Sequence, residues 1–413
     1  MRKLLGLRQN AMWMMFGNTY YAVCQWLVLI VIARFGGPSE VGEFALALSL
    51  ITPVMMFFNL GMRTILASDV AHEHGISNYV LFRVATAALG FLVCIAIAAT
   101  YGGQTFWIIA AVGASKTVET LTDLCYGFNQ RGMRLDRISK SLMMRGTLST
   151  IALAIVYNQT SSLYLALLCY TASWISVLLI FDRHAINEKL KFDRVQFNAD
   201  LKLFLRNGVP LGIAALMVNL SPNIPRYVLQ HDAGNAELGL FSGMAYFITV
   251  GTVIITAVGQ SLVPILARFY SEGNYRAYYR YLILALIFAF GTGALGVVAT
   301  LLIGEPVLKL FYGTEFARHA DLFPLFAVAA TVAYIGNILG FAISSAKIFV
   351  GQALAFTVSV LVSLIASHML IPHYGTAGAA YTLILTSVSN SVVPTILLAL
   401  SVSRNSRKAS LPR

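Results

Sequence analysis

Apolar residues in this chain fall in long unbroken runs, not in the alternating or one-faced patterns of a water-soluble fold. A helix of about 20 apolar residues crosses the ~30 Å hydrocarbon layer of a bilayer. The runs predict helical spans at 11–33, 41–62, 82–100, 105–128, 141–157, 162–181, 207–230, 240–266, 281–303, 322–345, 350–371 and 376–402. The expected class is therefore an all-α polytopic membrane protein of about twelve transmembrane helices. The connecting segments are short. The longest, 182–206, is charged and lies mid-chain, and 304–321 is the longest on the opposite side. The first run follows Arg2 and Lys3 and holds Asn18, Thr19, Tyr20 and Tyr21. It is too long for a signal-peptide core and no small-residue cleavage site follows, so it is expected to stay as the first helix.

Composition narrows the function. Hydrophobic residues make up 58% of the chain and charged residues 11%, against roughly 25% charged in soluble domains. Mean hydropathy is +0.75. Too few polar groups remain to cover a soluble surface, which excludes a soluble enzyme, a disordered chain and a nucleic-acid-binding module. The net charge of +12 reads as basic loops facing anionic lipid. With the N-terminus placed inside, 24 of the 29 Lys and Arg residues fall on inside segments, with Arg83 and Arg145 among them. Only Arg34, Arg226, Lys309 and Arg318 fall outside, and Lys116 lies within a span. Both termini are expected to be cytoplasmic, with an even number of spans. Cys24, Cys94, Cys125 and Cys169 lie in apolar stretches without metal-ligand spacing, so neither a disulfide framework nor a metal site is expected.

The chain also repeats itself. Gly37, Glu40, Gly42, Phe44 and Ile51 recur as Gly234, Glu237, Gly239, Phe241 and Ile248 at one offset, and Gly61 and Gly75 stand nearly in register with Gly259 and Gly273. Both copies begin on the same side, which predicts two parallel six-helix repeats. The expected lobes are 1–181 and 207–403, joined by a cytoplasmic linker at 182–206 and followed by a cytoplasmic tail at 404–413.

Several stretches carry a family resemblance. They are Asn223-Ile-Pro-Arg-Tyr227, Gly239-Leu-Phe-Ser-Gly243, Gly259-Gln-Ser261, Arg268-Phe-Tyr-Ser-Glu-Gly273 and Pro372-His-Tyr-Gly-Thr-Ala-Gly-Ala-Ala-Tyr381. Together they resemble the polysaccharide-transport family of bacterial O-antigen and capsule flippases. Its superfamily includes the multidrug exporters and the peptidoglycan-precursor flippases. The resemblance covers most of the chain. It implies two lobes arranged as a V around a central cavity, in the bacterial inner membrane. The implied activity is translocation of polyprenyl-diphosphate-linked oligosaccharides by alternating access. It implies membrane lipids as surroundings, with a polysaccharide polymerase and glycosyltransferases as candidate partners and no nucleic acid. A cation-coupled drug or small-solute antiporter on the same fold is the alternative. A polytopic glycosyltransferase or polymerase fits less well, because the loops are too short for a donor-sugar site.

Candidate substrate-binding residues follow from the cost of charge in a membrane. Lys116, Glu119 and Asp123 are spaced to share one helical stripe, extended by Tyr126. The stripe reads as a polar track with a carboxylate able to carry a coupling proton, or as a neutralised cluster with Lys116 paired to Glu119. Arg63 reads as a receiver for the diphosphate or as a snorkelling anchor. Arg226 follows Pro222 and Pro225, and broken backbone in a membrane is tolerated where it lines a cavity, so Arg226 is expected there. Arg34 is expected to pair with Glu40 or Glu43 at the interface. Asn18, Tyr21 and Gln25 form another stripe, and Gln260 with Ser261 occupies the repeat-related place of Met62 and Arg63. These suit sugar hydroxyls but read more simply as interhelical hydrogen bonds, as do Asn337 and Asn390. The histidines, His72 and His74 included, do not cluster. No nucleophile–base pair and no ATP-binding loop is present. No enzyme activity and no cofactor are expected, and coupling to a proton or Na⁺ gradient stays open.

Overall fold

The computed structural model describes residues 6–69, 75–186 and 194–409. His72, His74, linker residues 187–193 and the end of the tail at 410–413 lie outside them. Among the described residues the secondary structure is entirely helical. The order is α1 (Leu7–Asn59), α2 (Met62–Ser68), α3 (Ile76–Ala98), α4 (Gly103–Arg131), α5 (Leu135–Thr160), α6 (Leu163–Ile180) and α7 (Arg194–Leu220). Then come α8 (Ile224–Ser271), α9 (Tyr275–Phe311), the short α10 (Thr314–Ala317), α11 (Phe323–Ser345) and α12 (Phe349–Ala409). Eight of the described helical segments are long and apolar enough to cross a bilayer. The protein is a multi-pass membrane protein.

Three of the long helices are pairs of arms. The backbone leaves helical geometry at Gly37 in α1, at Gly234 in α8 and at Gly375 in α12, each with positive φ. Only glycine enters this region freely, so these turns stand where the sequence pattern separates spans 1 and 2, 7 and 8, and 11 and 12. Helices α4 and α5 are absent from the apolar eight, because charged and polar residues interrupt their apolar runs.

By internal packing the chain divides into two compact units, Met1–Asn219 and Leu220–Arg413. The division falls in the last turn of α7, whereas the sequence places the linker at 182–206. Two features of that segment account for the difference. Asp182 to Ala185 form a 3-10 turn and Asp182 is buried. The charged stretch from Arg194 onward is helix, not loop. Asn78 donates to buried Asp200 at 2.7 Å. Phe204 is fully buried against Tyr79 and Phe82, at ring separations of 4.7 and 5.3 Å. Further along α7, a Cβ at Gly212 would stand 2.6 Å from the Phe57 carbonyl oxygen. The helix is seated directly on the end of α1.

In the first unit, α1 and α6 each pack on both α4 and α5, while α4 and α5 touch little. Four helices thus surround one core, with α4 and α5 on opposite sides. The second unit packs α11 against α8, α9 and α12. Its centre holds Ile255, Tyr278, Leu282, Tyr334 and Ile338. The Tyr278 hydroxyl donates to the Ala342 carbonyl at 3.0 Å, and Ser359 donates to Asn390 at 2.6 Å.

The repeat holds at its turn and fails beyond it. Gly61 is left-handed and ends α1 together with left-handed Leu60. Gly259 lies inside α8, which runs helical to Ser271 beneath Phe341.

Candidate functional site: ionised groups inside the first unit

Helix α4 starts after Gly102 and runs unbroken to Arg131. Its apolar first half packs closely on α3, where a Cβ at Gly113 would meet Cys94 at 3.1 Å. From Lys116 onward it presents the ionised stripe to its neighbours.

Asp123 accepts from two arginines. Arg63 Nη1 donates to it at 3.2 Å, from the first turn of α2. Arg83 Nη2 donates to it at 3.3 Å, from α3. Asn59 completes the group. Its side chain donates to Asp123 at 3.3 Å and accepts from Arg83 at 3.1 Å, and its carbonyl oxygen accepts from Arg83 at 2.8 Å. That carbonyl is free of the helix because α1 ends there, at left-handed Leu60. Arg83 is fully buried, while the Arg63 side chain is 30% exposed and Asp123 21%. Arg63 also donates to Gln130 at 3.0 Å and lies over the Tyr126 ring, 5.7 Å from its centroid. Two cations share one carboxylate, which leaves one positive charge in excess, with Arg63 as the reachable member.

One helical turn earlier on α4, Glu119 accepts from Lys116 Nζ at 2.8 Å. Both are part-exposed, at 32% and 20%. Opposite, α5 contributes Arg145, which is 1% exposed. Its guanidinium lies 3.9 Å from the Trp174 ring centroid and 5.5 Å from that of Tyr21, and it donates to the Tyr21 hydroxyl at 3.3 Å. Arg145 makes no ion pair among the described residues, and its Nε has no partner. A second route leads from Arg63 through Tyr126. The Tyr126 hydroxyl bonds Ser141 at 2.8 Å, and Ser141 donates to Asp182 at 2.8 Å.

Of the residues expected from sequence, Lys116, Glu119, Asp123 and Arg63 lie in this ionised region. The stripe is split: Lys116 and Glu119 pair with each other, and Asp123 turns to the arginines. Gln25 exchanges hydrogen bonds with the Tyr170 hydroxyl at 3.0 and 3.1 Å. Asn18 and Gln260 are exposed, each on its own helix. Arg34 is exposed, and Glu40 accepts from the Tyr157 hydroxyl. Arg226 belongs to the second unit, in the first turn of α8 after the break at Pro222. Its Nη1 donates to Asn223 at 2.8 Å, its Nε has no partner, and no ion pair reaches it among the described residues.

Sequence reasoning missed Arg83 and Arg145 as site residues. Both were counted among the inside arginines, at the inner ends of spans 82–100 and 141–157, yet both are buried within their helices. Small residues beside Arg145 were the available signal. Gly146 lets α5 approach α1, because a Cβ there would stand 2.9 Å from Cys24, and Ser141 turns to Tyr126 and Asp182. For Arg83 the sequence offers no comparable sign, because its partner Asn59 is defined only once α1 ends.

The geometry can be set beside known proteins. Residues 7–270 match the family model described as polysaccharide biosynthesis protein. The capsular polysaccharide biosynthesis protein CapF of Staphylococcus aureus is 25% identical over 381 residues, covering 91% of this chain and 95% of that protein. Among solved structures, an inward-facing multidrug resistance MATE family transporter of the MOP superfamily superposes with a TM-score of 0.77. It is 14% identical, with 95% of this chain and 96% of that chain covered. The lipid II flippase MurJ, in an inward closed conformation, gives a TM-score of 0.74 at 13% identity, covering 94% and 86%. At these identities the structural likeness shows the fold, an all-α transporter bundle. The family match spans well over half the chain, from α1 to the end of α8. The chain belongs to the polysaccharide biosynthesis protein family.

Proposed function

We propose that this protein is a flippase that moves a polyprenyl-diphosphate-linked oligosaccharide across the bacterial inner membrane by alternating access, with both termini cytoplasmic. The observation that carries the reading is the Arg63–Asp123–Arg83 group, inside a chain of the polysaccharide biosynthesis family. Buried or half-buried charge in a membrane is expensive and is kept for a purpose. An excess cation with a planar fork suits the oxygens of a diphosphate. Arg83 is anchored by Asn59 and holds Asp123, so Arg63 is free to trade its carboxylate for phosphate oxygens. Arg226 of the second unit, whose Nε has no partner, is on its own a further cation able to take diphosphate oxygens. The isoprenoid tail needs no polar path and remains in lipid. Names of relatives support the substrate class, because CapF belongs to capsular polysaccharide biosynthesis and MurJ is a lipid II flippase. A polymerase and glycosyltransferases are the partners this reading supplies. The driving force is a proton or Na⁺ gradient, or the concentration of the lipid-linked substrate.

The test is complementation. A bacterial strain deleted for its own flippase should regain surface glycan when this protein is expressed. Arg63→Ala at equal membrane abundance should cut display about tenfold or more, since a charge-assisted contact contributes about 1.5–3 kcal/mol. Full display from Arg63→Ala together with Arg226→Ala would remove the diphosphate role of both arginines.

A further inference from the structure

Arg145 is a cation without an ion-pair partner among the described residues, sealed in the core of the first unit. It comes from α5. On the opposite side of the same four-helix core, α4 carries Glu119. Glu119 and Arg145 act on each other electrostatically, but no ion pair joins them. Glu119 is instead held by Lys116 at 2.8 Å, and both ends of that pair are partly exposed.

Other charged and titratable groups around Arg145 are accounted for. From α1, Tyr21 accepts its hydrogen bond. From α6, Trp174 lies under its guanidinium, and the Tyr170 hydroxyl is engaged with Gln25. Tyr126 on α4 is bonded to Ser141. Asp182, the other carboxylate that Arg145 influences, is buried and tied to Ser141 at 2.8 Å. Of the two carboxylates that Arg145 influences, Glu119 is the one held by a part-exposed cation.

We propose that Lys116 accepts a diphosphate-type anion and that Glu119, displaced from Lys116, then pairs with buried Arg145. The carboxylate has two cationic stations, and the ligand decides which one it occupies. A part-exposed pair loses less on opening than a sealed one, because water reaches both of its ends. The arriving anion replaces the lost contact, and the orphan guanidinium gains the carboxylate it lacks. Movement of Glu119 inward links anion binding on one face of α4 to the packing of α1, α4, α5 and α6. The inference rests on the flippase reading for the identity of the anion, but not for the exchange itself.

Trp174 reports the exchange, because Arg145 lies on its ring. The full-length protein, with Trp13, Trp26 and Trp107 replaced by Phe, is placed in phosphatidylcholine nanodiscs and titrated with inorganic diphosphate. A saturable change in Trp174 emission is expected. Lys116→Ala and Glu119→Gln should each abolish it, and Lys116→Arg should keep it. Monodispersity in size-exclusion chromatography shows that each variant is folded. An unchanged response in Glu119→Gln, or no response in the parent, overturns the exchange. A response to phosphatidylglycerol nanodiscs without added diphosphate assigns Lys116 to a lipid headgroup and overturns its assignment to the substrate's diphosphate. Surface display of glycan by the same parent protein is scored separately. Transport without an emission change sinks only the exchange, and an emission change without transport sinks only the flippase reading.

Discussion

Gly37 and Gly234, 197 residues apart, hold the same backbone conformation, with φ, ψ of 68°, −169° and 85°, −177°. Each turn is followed three residues later by a repeat-related glutamate whose partner belongs to a late helix of its own unit. Glu40 accepts from Tyr157 near the end of α5, and Glu237 accepts from Thr376 just after the kink of α12. The two halves of the sequence thus share a turn and the acceptor that fixes it.

Substituting Gly234 by Ala should destabilise the protein by about 1–3 kcal/mol, the usual cost of forcing a side chain into this region. No atom lies within 4 Å of the added Cβ, so the loss isolates backbone strain. Gly291, also with open space around it but inside α9, is the control. Ala there should be neutral or stabilising by up to about 1 kcal/mol. Thermal melting of the purified variants in detergent measures both, and equal shifts would refute the strain argument.

The seating of α7 yields a second prediction. Cβ atoms at Gly208 and Gly212 would reach the Leu60 and Phe57 carbonyl oxygens at 3.0 and 2.6 Å. Backbone cannot yield as a side-chain tip can. Gly212→Leu should lower the melting temperature far more than Gly291→Leu. Matching melting temperatures for the two would show that α7 is not packed on α1.

Arg83 and Arg63 should separate stability from function. Arg83→Met removes a buried partner of Asp123 and leaves the Asn59 carbonyl without its donor. Breaking a buried pair costs about 3–5 kcal/mol, so this variant should melt early or fail to accumulate. Arg63→Met, at a part-exposed position, should melt within about 1 kcal/mol of the parent and still lose glycan display. The opposite pattern would make Arg63 the structural residue.

Hydropathy made the helical class and most spans legible, because every apolar run must cross the bilayer or be buried. The repeat was visible for a physical reason: glycine marks the positive-φ turns at Gly37 and Gly234. The start of α7 at Arg194, inside 182–206, was not legible because Asp200 and Phe204 gain their partners, Asn78, Tyr79 and Phe82, from a distant helix. Charge counting likewise took Arg145 as an inside charge at the end of span 141–157. A composition-based tally cannot see that Trp174, 29 residues on, supplies a ring face for it. The Lys116–Glu119 pair was legible because it depends only on spacing along one helix. The sharing of Asp123 by Arg63 and Arg83 was not, because it depends on where α1 stops.

The central claim is leaflet-to-leaflet movement of a lipid-linked oligosaccharide, and reconstitution addresses it directly. Purified protein is placed in liposomes carrying a polyprenyl-diphosphate oligosaccharide in both leaflets. A membrane-impermeant glycosidase then trims the outer-leaflet sugar. The account predicts that the protected half becomes accessible over time with the parent protein, and about tenfold more slowly or worse with Arg63→Ala. A protected fraction that stays at the protein-free level with the parent protein, under an imposed proton or Na⁺ gradient as well as without one, would contradict it.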